Sequence, residues 1–353
     1  EGRSLENLLW ALRRNLGRGA LRKLLVLRRR GRVKMKSRSV LQLQYEEEGR
    51  TVVREYPVRD LDAVLVLGKG LYIESSAVSV LSSMNVPMAV VAGDSVGVLL
   101  NPVIVASPNY RRLQYTVDRV RVIEIALEYI KSKVGGMINV LRYHGAEAPA
   151  VPGPPAPAGD AEVFEQEVRS WESQASSVLW DRLVLLLRPQ VLSELRARYG
   201  FLGRRPRRPD PFNKTLSVMY AILYALGTRA LLAAGLDPTY GLLHRTRYST
   251  PLTFDYVEMF KPVAIEATIG MLNGGGLPEL DEDGELVREH VNQAVKALYE
   301  YLTLEHKDTG RSIYRQIYLK AFCLASYLEG KCRREWLTVT WDRSQYRRPR
   351  TKA

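Results

Sequence analysis

The amino-acid sequence predicts an α+β protein in which a small N-terminal β-rich domain precedes a larger all-α domain. Three observations lead to this prediction. Apolar and polar residues alternate between residues 32 and 58, as they do in half-buried strands. Two short apolar runs then flank a helical stretch that is rich in small residues. Beyond Pro108 the apolar residues recur at intervals of three and four, and strand signals almost disappear.

The β-rich domain is assigned to residues 31–108. The stretch "VKMKSRSVLQLQYEEEGRTVVREYPV" reads as two or three strands with turns at residues 46–49. The runs "LDAVLVLG" and "VPMAVVAG" are typical of buried strands, and "SAVSVLSSMN" between them has helical spacing. "DSVGVLLNP" closes the domain.

The all-α domain is assigned to residues 109–353 and begins with a long helix from about residue 111. Further helices are predicted at 161–187, 189–199, 211–235, 254–271, 284–307 and 311–329. Residues 146–160 contain five of the eighteen prolines, which indicates a flexible or polyproline-type connector inside this domain.

The chain is strongly basic, with a formal net charge of +14 over 353 residues. Residues 1–40 carry thirteen Lys or Arg against two Glu, and residues 1–30 are assigned to a basic N-terminal extension. This charge favours nucleic acid as a partner, with an anionic membrane surface as the second candidate. The Arg-rich residues 5–27 also allow a transit peptide or a membrane-surface helix. Arg229 interrupts the most apolar stretch, so no membrane-spanning segment is predicted.

Cys323 and Cys332 are the only two cysteines, and they do not form a CxxC pair. Two cysteines are too few for a zinc cluster or a disulfide framework. The sequence therefore predicts a reduced intracellular compartment and a cytoplasmic location.

The segment "STPLTFDYVEMF" holds two acids, Asp255 and Glu258, three residues apart. Side chains at this helical spacing share one face, and like charges held close repel each other unless a cation lies between them. His244 adds an imidazole, and His with carboxylates suits Mn²⁺ or Mg²⁺ better than structural zinc. The alternative is a helix start capped by Ser249 or Thr253, with acids favoured there by the helix dipole and His244 on a surface loop.

Glu172 is a third candidate ligand, between Trp171 and a face of Ala and Ser residues in "EVRSWESQASSVLWDRL". A buried carboxylate needs a partner because its desolvation costs several kcal/mol, and a metal ion is one such partner. A solvated position on the polar face of the helix is the alternative.

The stretch "RRPRRPDPFNKTLSVMYAILY" joins a basic loop to a helix. Arginines are well suited to hold DNA phosphates, and a solvated loop is the alternative. The four arginines of this loop are Arg204, Arg205, Arg207 and Arg208. Asp210 or Asn213 is expected to cap the helix, with Pro211 in its first turn.

Four motifs occur in the order "WESQAS", "RRPRRPDPFNKTLSVMYAILY", "LLAAGLDPTYGLLH" and "LTFDYVEMFKP". In this order they resemble the CRISPR adaptation integrase family, the metal-dependent DNA endonucleases that insert spacers into the CRISPR array. The segments "DLDAVLVLGKGLYIESSAVSVLSSMNVPMAVV" and "YRRLQY" are similar to that family's β-domain and to its link into the helical, catalytic domain. The resemblance covers about residues 32–330.

The resemblance implies a divalent-metal site, for Mg²⁺ or Mn²⁺, with Glu172, His244 and Glu258 as ligands. Asp255 matches a neighbouring acid that supports the site or binds a second metal ion. Tyr224 matches a tyrosine with a helper role in catalysis, and ordinary helix packing is the alternative for it.

The chain departs from the family pattern at two positions of these motifs. Ser173 stands where the family usually has Gly, and Lys261 stands where it usually has Arg. Neither departure removes a predicted ligand. Residues 1–30 extend beyond the usual start of the family, and they are interpreted as a DNA-binding arm or as sequence unrelated to the core function.

The implied reaction is attack of a DNA 3′-hydroxyl, or of water, on a backbone phosphate. The implied partners are double-stranded DNA, a second copy of the chain in a homodimer formed through the β-domain, and a small second CRISPR adaptation protein; no membrane is expected. The predicted phosphate contacts are Arg204, Arg205, Arg207, Arg208, Arg245 and Arg247. A transposon-borne integrase of the same family and a non-catalytic basic DNA-binding scaffold remain as alternatives.

Overall fold

The structure is a computed structural model that describes residues 23–27, 30–47, 49–67, 70–84, 86–92, 95–99, 108–157, 159–206, 208–244 and 250–349. The chain forms two compact units, Glu1–Ile104 and Val105–Ala353. The division lies close to the predicted boundary at residue 108. Strands dominate the first unit and helices dominate the second, which confirms the α+β prediction.

One four-stranded sheet of the first unit has the strand order β1-β5-β7-β8. Its strands are β1 (Lys23–Leu27), β5 (Leu61–Leu67), β7 (Met88–Ala92) and β8 (Ser95–Leu99). The first three are parallel, and β8 runs antiparallel to β7. Strand β1 lies within the residues assigned to the basic extension, so the sheet begins before the predicted domain start at residue 31. Residues 1–22 lie outside the described residues.

The other sheet has the strand order β4-β3-β2-β6, with β2, β3 and β4 in an antiparallel meander. Its strands are β2 (Gly31–Ser37), β3 (Val40–Glu47), β4 (Arg50–Pro57) and β6 (Leu71–Ile73), and the helix α1 (Ser75–Ser83) follows β6. Strand β6 was not predicted, because three residues are too few to show an alternating pattern. Apolar residues from both sheets and from α1 share one core, as shown by the burial of Val33, Leu41, Val64 and Leu81.

Nine α-helices are described in the second unit. They are α2 (Pro108–Thr116), α3 (Arg119–Tyr143), α4 (Ala161–Leu183), α5 (Pro189–Tyr199), α6 (Pro211–Ala233), α7 (Pro251–Val257), α8 (Lys261–Gly275), α9 (Arg288–Leu302) and α10 (Ile313–Leu328). Two short strands, β9 (Glu305–His306) and β10 (Tyr346–Arg347), pair antiparallel. The second unit is therefore mostly helical rather than entirely so.

The long helix predicted from residue 111 is divided into α2 and α3. The division follows from Asp118, whose carboxylate accepts a hydrogen bond from the backbone N–H of Arg121 at 3.2 Å and so caps α3. The proline-rich connector between α3 and α4 is attached to the fold, because the indole N–H of Trp171 donates to the carbonyl of Pro152 at 2.7 Å.

Helix α6 forms the centre of the second unit. By length and composition it could span a membrane, but 72% of its most apolar window is buried, as in the core helix of a soluble protein. Asp210 caps it by accepting from the backbone N–H of Asn213 at 2.8 Å, as predicted, with Pro211 in the first turn. At Gly227 a Cβ atom would lie 2.6 Å from Cγ2 of Val257, so the glycine allows α7 to pack closely on α6.

Cys323 and Cys332 form a disulfide, with their Cα atoms 5.8 Å apart. It joins α10 to the turn that follows the helix. The sequence analysis, which predicted a reduced compartment and no disulfide framework, did not foresee this single bond. The number of cysteines excluded a framework of several disulfides, but a helix that ends at Leu328 and turns back brings this one pair together.

Candidate metal centre

Asp255, on α7, is a buried acid whose hydrogen-bond donors belong to the loop before the helix. Its Oδ2 accepts from the backbone N–H groups of Leu242 at 2.6 Å and Leu243 at 3.0 Å. Its Oδ1 accepts from the backbone N–H of His244 at 3.3 Å. Only 2% of the residue is exposed, so these donors replace the water that the carboxylate loses on folding.

The same carboxylate orients the imidazole of His244. Oδ1 of Asp255 lies 2.6 Å from Nδ1 of the ring. A carboxylate at this nitrogen fixes the ring orientation, and any bond from the imidazole to a metal ion would then be made by Nε2. Asp255 therefore lies behind His244 as a supporting residue.

Two arginines hold the carbonyl side of this loop. Arg119 donates to the carbonyl of Leu242, and Arg169 donates to the carbonyl of Leu243. Both guanidinium groups also bond the carboxylate of Glu165 on α4. The peptide groups before His244 are thus bonded through their N–H groups to α7 and through their carbonyl groups to α3 and α4.

Gly241 permits the sharp turn of this loop. A Cβ atom at this position would overlap the carbonyl oxygen of His244 and would lie 2.7 Å from Cβ of Pro251. Real Cβ atoms do not approach backbone this closely, so a side chain at position 241 would displace His244 or the start of α7.

A helix does begin in this segment, as the alternative interpretation has it, but Asp255 lies beyond its first turn. The N-cap residue of α7 is Thr250, and its side chain makes no capping hydrogen bond. Thr253 instead shares a hydrogen bond with the hydroxyl of Thr228 at 2.9 Å. The predicted cap Ser249 lies outside the described residues.

Glu172 and Glu258 meet at a single cation, the ammonium group of Lys133 on α3. Its Nζ lies 2.6 Å from Oε1 of Glu172 and 2.9 Å from Oε2 of Glu258. The ammonium of Lys261 pairs with Oε1 of Glu258. The exposed fractions of the Lys133 and Glu258 side chains are 10% and 6%. The structure thus provides the cation that two neighbouring carboxylates require.

Burial and charge act in opposite directions on these groups. Burial disfavours the charged form of Glu258, but Lys133 and Lys261 outweigh it and lower the pKa of the carboxyl to about 2. Burial likewise opposes the charge on Lys133, while Glu258 and Glu172 raise its pKa above the ordinary value. Glu258 and Lys133 are therefore both ionised at neutral pH.

Tyr220 and Tyr224, on α6, lie beside this ion network. Nζ of Lys261 is 5.3 Å from the ring centroid of Tyr220 and 5.8 Å from that of Tyr224. The Tyr224 ring also packs on Phe254, with centroids 4.3 Å apart. Burial raises the pKa of Tyr220 to about 12, so its hydroxyl stays protonated at neutral pH. The predicted helper Tyr224 is thus next to the network and is also packed against α7.

The described arginines of the basic loop before α6 are half-buried or exposed. Arg204 turns inward: its guanidinium donates to Oδ1 of Asn213 at 2.7 Å and lies 5.6 Å from the Tyr220 ring centroid. Arg205 is exposed, and Arg208 is half-buried. The other predicted phosphate contacts, Arg207, Arg245 and Arg247, lie outside the described residues.

Of the predicted ligands, the structure brings Glu172 to Glu258 through Lys133, and it places Asp255 against His244. Within the described parts of the chain, no three His, Cys, Asp or Glu side chains lie close enough together to hold a metal ion as they stand. The donor chemistry nevertheless fits a hard divalent cation, since two carboxylates and an imidazole are available. Oε2 of Glu258 is buried, and the contact described for it is the ion pair with Lys133.

Lys133 is the member of this network that the sequence interpretation missed. The pattern of apolar residues around it in "YIKSKVGGM" could have pointed to it. Tyr129, Ile130 and Met137 lie three or four residues from it and are all buried, so Lys133 points from the apolar face of α3. A lysine on such a face requires a buried acidic partner.

Residues 24–286 match the protein family described as CRISPR associated protein Cas1. The chain belongs to this family. It is 29% identical over 293 residues to the CRISPR-associated endonuclease Cas1 2 of Pyrobaculum aerophilum, a match that covers 80% of this chain and 92% of the relative.

Solved structures have the same fold. A casposase bound to its integration product superposes with a TM-score of 0.72 at 18% identity, over 90% of this chain and 94% of the casposase. A Cas6-RT-Cas1–Cas2 complex gives a TM-score of 0.66 at 16% identity, over 92% of this chain and 36% of the longer chain. At these identities the likeness supports the fold alone.

Proposed function

We propose that this member of the Cas1 family is a divalent-metal-dependent DNA endonuclease and integrase that inserts spacer DNA into a CRISPR array. The observation that carries the proposal is the meeting of Glu172 and Glu258, far apart in sequence, at one buried cation position. The relative from Pyrobaculum aerophilum is named an endonuclease, which supports the same activity. Cytoplasmic location is part of the proposal.

Glu172, His244 and Glu258 would hold Mg²⁺ or Mn²⁺. When bound, the ion would supply Lewis-acid stabilisation of the charge that develops on the phosphate oxygens. Asp255 would keep the Nε2 atom of His244 available to the ion by holding Nδ1. Lys261 would remain paired with Glu258 and add positive charge beside the phosphate. We assign Tyr224 a helper role on the basis of its position next to Lys261.

In the proposed reaction the 3′-hydroxyl oxygen of an incoming DNA fragment attacks a backbone phosphorus atom. One phosphorus–oxygen bond forms as another breaks, and the displaced strand keeps a 3′-hydroxyl end. The exchange needs no nucleotide, reductant or oxidant. Water in place of the 3′-hydroxyl gives strand cleavage.

The phosphate contacts are assigned to Arg204, Arg205, Arg207, Arg208, Arg245 and Arg247. Contacts of this kind supply affinity without sequence preference, and binding should weaken steeply as salt rises. The guanidinium group of Arg204 bonds Asn213 and lies over the Tyr220 ring, so Arg204 would add positive charge from the inner side of the loop. The first unit is assigned to homodimerisation, and a small second protein like the Cas2 of the solved complex is the further partner.

The proposal is tested with Glu258→Gln and Glu172→Gln in a cleavage assay with Mn²⁺. We expect both variants to fall to the rate that wild type shows with EDTA. Binding to duplex DNA, compared in EDTA, should stay within about twofold of wild type, because phosphate contacts carry affinity. Glu167→Gln is the matched control, since it is an exposed acid on the same helix as Glu172.

Unchanged cleavage in both variants, or full wild-type cleavage with EDTA, would refute the metal assignment. If no condition gave cleavage while the wild type bound DNA tightly, the non-catalytic scaffold would be favoured.

A further inference from the structure

Lys133 occupies the place where the proposed function requires a metal ion. Its Nζ contacts one oxygen of Glu172 at 2.6 Å and one of Glu258 at 2.9 Å. A divalent ion held by Glu172 and Glu258 would compete with this ammonium group for the same two carboxylates. Charge repulsion would also disfavour two cations so close together.

We propose that Lys133 is an internal counter-ion that holds Glu172 and Glu258 together, and that a divalent cation binds between them only by displacing its ammonium group. This inference rests on the proposed function, because it concerns the same two carboxylates. It assigns Lys133 a positioning role: it sets the affinity for metal without touching the reacting atoms.

The charges of the network agree with such an exchange. Lys133 and Lys261 together balance Glu172 and Glu258. Replacement of one ammonium by a divalent ion leaves the centre with one additional positive charge. A DNA phosphodiester supplies one negative charge, so metal and DNA are expected to favour each other's binding.

The contacts of Lys133 also explain how the displaced side chain can move. Glu172 is the more exposed partner, with 24% of its side chain accessible, whereas Glu258 has 6%. The opening of the network therefore lies on the Glu172 side. Glu258 keeps Lys261 as its partner when Lys133 leaves, so the exchange does not strand a buried carboxylate.

The test is a titration of the full-length protein with Mn²⁺ alone, without DNA, in which free Mn²⁺ is measured by electron paramagnetic resonance. Lys133→Met removes the charge and keeps the length of the side chain. We expect the Mn²⁺ dissociation constant to fall about tenfold or more, because the competing cation is gone. Lys133→Gln, which keeps a hydrogen-bond donor, should behave in the same way. Lys133→Arg keeps the charge and should stay near wild type.

A second readout is the melting temperature without and with Mn²⁺. In the absence of metal, Lys133→Met should melt roughly 4 °C or more below wild type, since two carboxylates then lack their shared cation. Added Mn²⁺ should restore most of that difference. Lys131→Met is the matched control: Lys131 lies on the same helix, is 42% exposed and pairs with Glu128 at 3.1 Å.

Equal or weaker Mn²⁺ binding in both Lys133→Met and Lys133→Gln would overturn the inference. That result leaves the proposed function intact if wild type binds Mn²⁺ and Glu258→Gln does not. If wild type, Glu258→Gln and the Lys133 variants all fail to bind Mn²⁺, both the metal assignment and the inference fail. If only the uncharged Lys133 variants bind Mn²⁺, the inference is supported.

Discussion

Asp255 and Glu258 lie one helical turn apart and are both nearly fully buried, but they are neutralised in different ways. Asp255 is held by backbone N–H groups and the imidazole of His244. Glu258 is held by the side-chain ammonium groups of Lys133 and Lys261. Backbone donors cannot leave without unfolding the loop, whereas a lysine side chain can rotate away. Asp255 therefore fixes the conformation of the loop, whereas Glu258 has side-chain partners that a ligand can replace.

The largest expected effect that tests this comparison comes from Asp255→Asn. Asparagine keeps one acceptor oxygen and places an NH₂ group where the other accepted hydrogen bonds, so buried N–H groups lose their partner. We expect a loss of about 3 kcal/mol in the free energy of unfolding, measured by urea denaturation. Added Mn²⁺ should not restore it.

Asp181→Asn is the control for this prediction, because it makes the same change at an exposed position of α4. If Asp255→Asn were no more destabilising than Asp181→Asn, or if Mn²⁺ rescued it, Asp255 would belong with Glu258 among the exchangeable acids.

A smaller effect is expected from Gly241→Ala, which disturbs the same loop without altering a charge. The added Cβ atom overlaps the carbonyl of His244 and crowds Pro251 at 2.7 Å. Overpacking of this kind costs about 2 kcal/mol, and it should also slow Mn²⁺-dependent cleavage because His244 moves.

The matched control is Gly274→Ala, since a Cβ atom there meets nothing within 4 Å in helix α8. Helix propensity predicts a small gain in stability for this control. Similar losses in the two variants would show that the loop adapts easily and that its backbone does not position His244.

The smallest expected effect concerns a third buried acid, Glu266, which can be compared with Asp255 and Glu258. Glu266 on α8 is 1% exposed and accepts a hydrogen bond from the indole N–H of Trp341 at 2.6 Å. Nε2 of His144 lies farther from it, at 3.6 Å. Its donor is neutral and fixed, so Glu266 should behave like Asp255.

Trp341→Phe removes that donor and should lower the free energy of unfolding by about 1 kcal/mol, in a manner that Mn²⁺ does not change. Trp336→Phe, at an indole that is 57% exposed, is the control. A dependence of the Trp341→Phe effect on Mn²⁺ would connect Glu266 to the metal centre and weaken the distinction drawn above.

Much of the fold follows from local sequence patterns. Alternation predicted the strands between residues 31 and 57, and helical spacing predicted most helices of the second unit within a few residues. The errors arose where the signal is very short: the single residue Asp118 starts a new helix, and strand β6 has only three residues. The Cys323–Cys332 disulfide depends on a helix ending that periodicity does not locate.

The sequence named candidate residues for the site but could not name their contacts. Family resemblance pointed to Glu172, His244, Asp255 and Glu258, and the structure pairs these four as two groups. Which acid faces a backbone amide and which faces an ammonium depends on how α3, α4 and α7 pack. The role of Lys133 also depends on this packing, because its partners Glu172 and Glu258 lie in two other segments of the chain.

The two peptide groups before His244 are bonded to three helices at once, through Asp255, Arg119 and Arg169. The conformation of this loop therefore depends on residues outside it. If the loop sequence were grafted into another scaffold without those three side chains, it would not reproduce the orientation of the imidazole. A redesign of this protein should therefore transplant the surrounding helices together with the loop and vary only residues that do not take part in these hydrogen bonds.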